Sequence, residues 1–260
     1  MIPSGLAIIT LNTGDRFDLG PLAVPWHGLF TALGILAAAF FALRYARERE
    51  LDEDRLINLF LIIVVSGMIG ARVFYLIEQD ASALLRPSDW LGTNGFSFYG
   101  AILAAVPAAL IYLRRAAQPV SLLDAAASGF GLGMAIGRIG DLLIGEHLGD
   151  PSTLPWATQY TNPDAVAPST DLAYQPGPLY ESLLGLAIFA VVWPLRHRFQ
   201  TPGMLLATVV GLYSAGRFFL FFLRNDSDQL LLGLSNAQVT SLLLAVVSLA
   251  AVIVLRRRRT

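Results

Sequence analysis

Seven apolar stretches set the first bound on what this chain can fold into. They run over residues 27–43, 56–77, 98–113, 122–144, 179–195, 204–223 and 237–255. Each is long enough, or nearly so, to cross a hydrocarbon core about 30 Å thick. Inside lipid every backbone polar group must find its partner within the protein, so stretches of this kind fold as packed helices. Composition agrees, with 55% hydrophobic and only 14% charged residues, against roughly 25% charged in an ordinary soluble domain. The reading is an all-α, polytopic membrane protein with seven transmembrane helices, a single integral-membrane domain over residues 1–260. Pro107 and Pro194 mark places where helices kink or end. Residues 1–25 are too broken by Gly, Pro and Asp to span a bilayer and are expected against the outer surface. They lack a basic region followed by an apolar one, so no cleavable signal peptide is read there.

Orientation follows from arginine, the only basic residue apart from three histidines; there is no Lys among the 18 Lys and Arg positions. Arg44, Arg47, Arg49, Arg55, Arg114, Arg115, Arg196, Arg198 and Arg256 to Arg259 fall on one side of the spans, 12 in all. Arg16, Arg86 and Arg224 fall on the other. The positive-inside rule makes the first side cytoplasmic, which places the N-terminus outside and the C-terminus in the cytoplasm. Residues 145–178, polar and rich in Pro, Thr and Asp, then form an external loop long enough to act as a functional cap. The arginines are dispersed along the chain rather than clustered on one face, which argues against a nucleic-acid partner. With no cysteine, the protein has no disulfide, thiolate metal site or nucleophilic thiol of its own.

Residues 128–149, SGFGLGMAIGRIGDLLIGEHLG, carry charge where a span should not. Arg138, Asp141 and Glu146 fall within nine residues of apolar sequence, although an ionisable group at mid-bilayer costs about 2.5–3.5 kcal/mol on insertion scales. Gly129, Gly133 and Gly137 recur every four residues and clear one helical face for a close neighbour. The stretch reads as a packed central helix that delivers charge to a protected site; alternatively Arg138 and Asp141, three apart, only neutralise each other. With the orientation above, Arg72, Arg138 and Arg217 share the outer half of the membrane with His27, Tyr99, Tyr180 and Glu181. Asp141, Glu146 and Arg224 fall at the same level. Arginine forks suit phosphate, and a phospholipid headgroup is the anion most available there. Asp141, Glu146 and Glu181 offer the other solution, an ion-pair network without a ligand. Arg72 by itself can anchor its helix to Glu78 or to headgroups, and Arg224 can serve as an interfacial anchor. His27 and Tyr99 suit proton transfer or an interfacial aromatic belt. The Gly145-Glu146-His147 run does not make a zinc site, because the chain has only three widely spaced histidines.

Six motifs in the same order resemble the prolipoprotein diacylglyceryl transferase family. GRIGDLLIGEHLGD is similar to the family pattern G-R-x-G-N-F-x-N-G-E-x-x-G, with Arg138, Gly140, Gly145, Glu146 and Gly149 in register. WHGLF at 26–30 resembles W-Y-G-L, GARVFY at 70–75 G-G-R-x-x-Y, NGFSFYGA at 94–101 G-G-x-S-F-H-G-G, and QPGPLYE at 175–181 H-P-S-Q-L-Y-E. GRFFLFFLR at 216–224 parallels a segment with Arg, Glu four on and Arg seven on. His27 stands where the family has Tyr, Tyr99 where it has His, Asp141 and Ile144 where it has Asn, and Phe221 where it has Glu.

The resemblance implies transfer of diacylglyceryl from phosphatidylglycerol to the lipobox cysteine of a lipoprotein precursor, at the outer leaflet of the plasma membrane. It implies no cofactor and no metal, and membrane lipids as neighbours. Arg138 and Arg217 are expected to stabilise the departing phosphate and Glu146 to position one of them. His27 would accept the thiol proton, Tyr99 would donate a hydrogen bond in the same cavity, and Asp141 completes the catalytic group. Arg72, Gly149, Tyr180, Glu181 and Arg224 are expected at the substrate. The rival reading is a non-catalytic or substrate-shifted phospholipid-binding member of the family.

Overall fold

The computed structural model describes residues 9–90, 95–224, 229–231 and 233–257. They form two compact units, one of residues up to 42 and from 123 onward, the other of residues 43–122. The ranges 1–8 and 91–94, and the arginines at 258 and 259 counted for orientation, lie in whole outside the described residues.

The first unit begins with strand β1 (Ile9–Leu11) and a hairpin of β2 (Arg16–Leu19) and β3 (Leu22–Pro25), turned at Gly20 with φ of 64°. The hairpin runs straight into helix α1 (Trp26–Glu48). The cap is ordered by two short strands, β4 (Thr158–Tyr160) and β5 (Ala173–Tyr174). The N-terminal strand joins them: β1 pairs parallel with β4, and β4 antiparallel with β5. Leu148, Tyr160 and Tyr174 make a small core beneath this sheet, with Leu11, Ala165 and Ala167 against it. Burial pushes the Tyr160 phenol above its ordinary range, so it stays protonated and donates to Leu142 O at 2.7 Å. That bond ties the cap to α5 (Pro119–Ile144).

Helix α5 is the axis of this unit, and glycine is what lets its neighbours approach. A Cβ on Gly133 would come within 2.8 Å of Gly34 O on α1, and one on Gly131 within 2.6 Å of Gly185 O on α6 (Gly177–Leu195). A Cβ on Gly129 would strike the backbone of Ala38. Gly137, the third member of the four-residue repeat, faces open space. Two of the three glycines therefore act as packing positions. Toward the other end of α1, Phe41 meets the stacked rings of Phe189 and Trp193 on α6 edge-on. There the buried Asp124 of α5 accepts from Gly203 N and Leu206 N, each at 2.7 Å. It thereby caps α7 (Met204–Leu220) from a neighbouring helix, satisfying donors the first turn leaves open. Beyond α7 come a 3₁₀ turn, Phe221–Leu223, strands β6 (Gln229–Leu231) and β7 (Leu234–Ser235), and α8 (Asn236–Arg257).

In the second unit, Asp52 caps α2 (Glu53–Gln79) by accepting from Arg55 N at 2.9 Å. Asp80 caps the 3₁₀ turn Ala81–Leu85, which leads to the short α3 (Pro87–Trp90). Helix α4 (Phe98–Leu113) then crosses α2, where a Cβ on Gly70 would meet Gly100 and Ala104.

Among the described residues, six helical segments are long and apolar enough to cross a membrane: Trp26–Glu48, Glu53–Gln79, Pro119–Ile144, Gly177–Arg198, Met204–Leu223 and Asn236–Arg257. Large apolar side chains such as Leu36, Leu61 and Val247 are exposed on them, as expected where the solvent is lipid. The protein is polytopic in the membrane. Helix α4 has 16 residues, about 24 Å at about 1.5 Å per residue, short of the ~30 Å core.

Candidate functional site

The site is assembled around Arg138, in the penultimate turn of α5. Asp141 lies three residues on, hence on the same face, and its Oδ2 sits 2.5 Å from Arg138 Nη1. Its other oxygen, Oδ1, receives His27 Nδ1 from the start of α1. Gly140 permits that approach, because a Cβ there would stand 2.9 Å from both His27 Cα and Trp26 O. The Asp141 side chain is 2% exposed and the His27 ring 52%.

A second carboxylate holds Arg138 from the opposite side. Glu181, in the first turns of α6, is fully buried, and its Oε2 lies 2.5 Å from Arg138 Nε as an ion pair without aligned hydrogen-bond geometry. Its Oε1 accepts from Arg224 Nη1 at 2.6 Å. Arg224 is itself buried and rests over the Phe221 ring at 4.4 Å. The chain of ionisable groups Arg224, Glu181, Arg138, Asp141, His27 thus links the end of the α7 segment to α6, α5 and α1. Two arginines face two carboxylates, so this core is neutral without a ligand.

Arg217 stands apart from that balance. It donates to Tyr213 Oη at 3.1 Å and lies 4.8 Å from the Phe221 ring centroid. Among the described residues no carboxylate comes within ion-pair distance of it. Its side chain is half-buried.

Past α5 the chain turns sharply. Gly145 N and Glu146 N both donate to Asp141 O at 3.0 Å. Gly145 has φ of 79° and His147 of 57°, the latter an uncommon conformation for a residue with a side chain. This turn brings Glu146 Oε2 to 3.9 Å from His27 Nδ1 and lines a cavity of about 280 Å³ with His147, Asp150, Pro168 and Tyr174. Gly149 donates to Gln175 O at 2.9 Å and has no room for a Cβ against Leu223 O. Tyr180 Oη accepts from Trp156 Nε1 at 2.8 Å and donates to Gln175 Oε1 at 3.3 Å.

His27, Glu146 and Asp141 also place three donor atoms within 4.8 Å of one another. Both Asp141 oxygens are already engaged, one by a cation, so the group fits a hydrogen-bonded network better than a metal ligand set.

Arg72 and Tyr99 belong to the second unit. Arg72 donates through Nη1 to Gly95 O at 3.0 Å and through Nη2 to Asp89 O, between the rings of Tyr75 and Phe96. Glu78, its suggested partner, instead accepts from Ser97 Oγ at 3.3 Å. Tyr99 lies in the first turn of α4, 66% exposed. Sequence reasoning passed over Asp124; a carboxylate two residues into an apolar run was the available signal.

The family model for prolipoprotein diacylglyceryl transferase matches residues 15–254. A phosphatidylglycerol–prolipoprotein diacylglyceryl transferase of Dehalococcoides mccartyi is 32% identical over 245 residues, covering 94% of this chain and 93% of the relative. Relatives of the same name from Thermosynechococcus vestitus and Bacillus licheniformis are each 33% identical. The first match covers 89% of this chain and 88% of the relative, the second 93% and 91%.

Proposed function

The chain belongs to the prolipoprotein diacylglyceryl transferase family, and from that premise we propose that it moves the diacylglyceryl group of phosphatidylglycerol onto the cysteine thiol of a lipoprotein precursor. The likeness to relatives named for that reaction, over about nine-tenths of both chains, carries the reading. The arginine-centred site in a membrane bundle supports it. In the reaction the thiol sulfur bonds to the terminal glyceryl carbon while that carbon's bond to the phosphate oxygen breaks. The electron pair leaves on glycerol phosphate. The charge that develops there needs a fixed cation in a dry site. Arg217, with no carboxylate to balance it among the described residues, is the first choice for this task, and Arg138 the second. Asp141 and Glu181 hold Arg138 rigid, so it does not reorganise during the step. Glu146, Tyr180, Arg224 and Gly149 shape the surroundings.

The finer topology is part of the proposal: seven spans with α4 as the third, N-terminus outside, C-terminus cytoplasmic, and the cap at the outer leaflet. The arginine asymmetry supports this orientation. Because the chain lacks cysteine, Ser169→Cys and Ala117→Cys should label with an impermeant maleimide from opposite sides, Ser169→Cys alone in intact cells. The reverse pattern overturns the orientation. For the reaction, the purified protein in phosphatidylglycerol vesicles with a lipobox peptide should release glycerol phosphate and add one diacylglyceryl mass to the peptide. Phosphatidylglycerol binding without either product overturns it.

A further inference from the structure

We infer that His27 is the proton acceptor for the incoming thiol and that Asp141 is its positioning residue. The inference rests on the reaction proposed above and deepens it. An ionised carboxylate only accepts hydrogen bonds, so the Asp141 contact puts the imidazole proton on Nδ1 and leaves Nε2 as the open lone pair. The ring is half exposed while its orienting carboxylate is 2% exposed. An incoming group can reach the imidazole without disturbing what aims it. Arg138 holds the other Asp141 oxygen at 2.5 Å, so the carboxylate cannot swing away. The same contacts connect proton acceptor and cation through one side chain.

The charged groups around the ring are Asp141 and Arg138 on α5 and Glu146 in the turn after it. Glu146 is the weaker acceptor on chemical grounds, since a carboxylate is a poorer match than an imidazole for a thiol proton. His147 is the other imidazole near the turn, 3.9 Å from Glu146 Oε1, and serves as the rival. The step balances: the S–H proton passes to His27 Nε2, sulfur bonds to the glyceryl carbon, and the electron pair of the broken C–O bond leaves with the phosphate.

His27→Gln keeps a donor toward Asp141 and removes the base, so the network survives and folding is not the readout. At pH 7 its transfer rate should fall about 100-fold or more, with phosphatidylglycerol binding kept. The deficit should shrink as pH passes the thiol's own value of about 8.5, where the nucleophile ionises unaided. Added imidazole should restore part of the rate in His27→Ala. Asp141→Asn should lower the pH 7 rate by turning the ring to the other tautomer. Wild-type rate in His27→Gln, a deficit constant with pH and unmoved by imidazole, or this same pattern in His147→Gln instead, each overturns the assignment while leaving the reaction standing. A wild-type protein that releases no glycerol phosphate overturns the reaction, and the assignment with it.

Discussion

Arg138 and Arg72 are both arginines in long apolar helices, yet the two units satisfy them by different means. Arg138 lies between Asp141 and Glu181, and through them reaches Arg224 and His27 on other helices. Arg72, 7% exposed, donates to the carbonyls of Asp89 and Gly95 and lies between two aromatic rings. Carbonyl acceptors fasten a length of backbone; carboxylates fasten other side chains. The difference teaches that an intramembrane arginine does not by itself mark a site. What surrounds it decides whether it ties down a segment or organises chemistry.

The sharpest way to break this contrast is to remove each arginine in turn. Arg138→Ala should reduce transfer by about 10²–10³-fold, the usual effect of losing one preorganised donor. It should also destabilise by about 3–5 kcal/mol, because buried Asp141 and Glu181 each lose one cationic partner, leaving His27 and Arg224 to hold them. Thermal unfolding in detergent beside the activity assay separates the two, and Arg138→Lys keeps charge while losing the planar fork. Full activity in Arg138→Lys would mean that geometry is not what the network supplies.

Glu181→Gln comes next. It should cost about 3–5 kcal/mol in thermal unfolding, since two arginines share that one buried carboxylate. An unchanged melting temperature would show that the network does not hold α5, α6 and the end of the α7 segment together.

Arg72→Ala should cost less, about 1.5–3 kcal/mol in all, because the two carbonyls it leaves carry no net charge, and the loss should be local. Limited proteolysis should find new cleavage near Asp89 and Gly95 while phosphatidylglycerol binding stays intact. Loss of binding with that segment still protected would make Arg72 a headgroup ligand and erase the contrast.

The smallest effect tests the packing beneath Arg138. Gly133→Ala must move α1 or α5, at about 1–3 kcal/mol, because the added carbon meets Gly34 O and Ala38 Cβ within 2.9 Å. Gly137→Ala meets nothing within 4 Å and should stay within about 0.5 kcal/mol. Equal melting temperatures for the two variants would remove the distinction between packing and open glycines.

The helices were legible in the chain. The third apolar stretch, 98–113, coincides with α4, and the fourth and seventh fall inside α5 and α8, each helix three residues longer than its stretch. Helix α1 continues to Glu48, past the predicted end at 43, because Arg44 and Arg47 end the apolar run without ending the helix. The strands were not legible. The strands of the cap have two or three residues, too few for an alternating pattern to register. Strand β1 takes its place from pairing with residues about 150 positions later.

Within the site, residue types and their order along the chain already marked Arg138, Asp141, Glu146, Glu181, Arg217 and His27 as out of place in lipid. Hydrophobic burial and backbone satisfaction act locally, so the apolar length of each span and the polar exceptions within it can be read from sequence alone. Who meets whom could not be read that way. Nothing in the sequence order pointed to His27 meeting Asp141, 114 positions away, or to one buried Glu181 serving both Arg138 and Arg224. Those pairings depend on where glycines 34, 133 and 140 allow helices to touch. Contacts between helices are made at side-chain range, and only tertiary packing sets which side chains come within it.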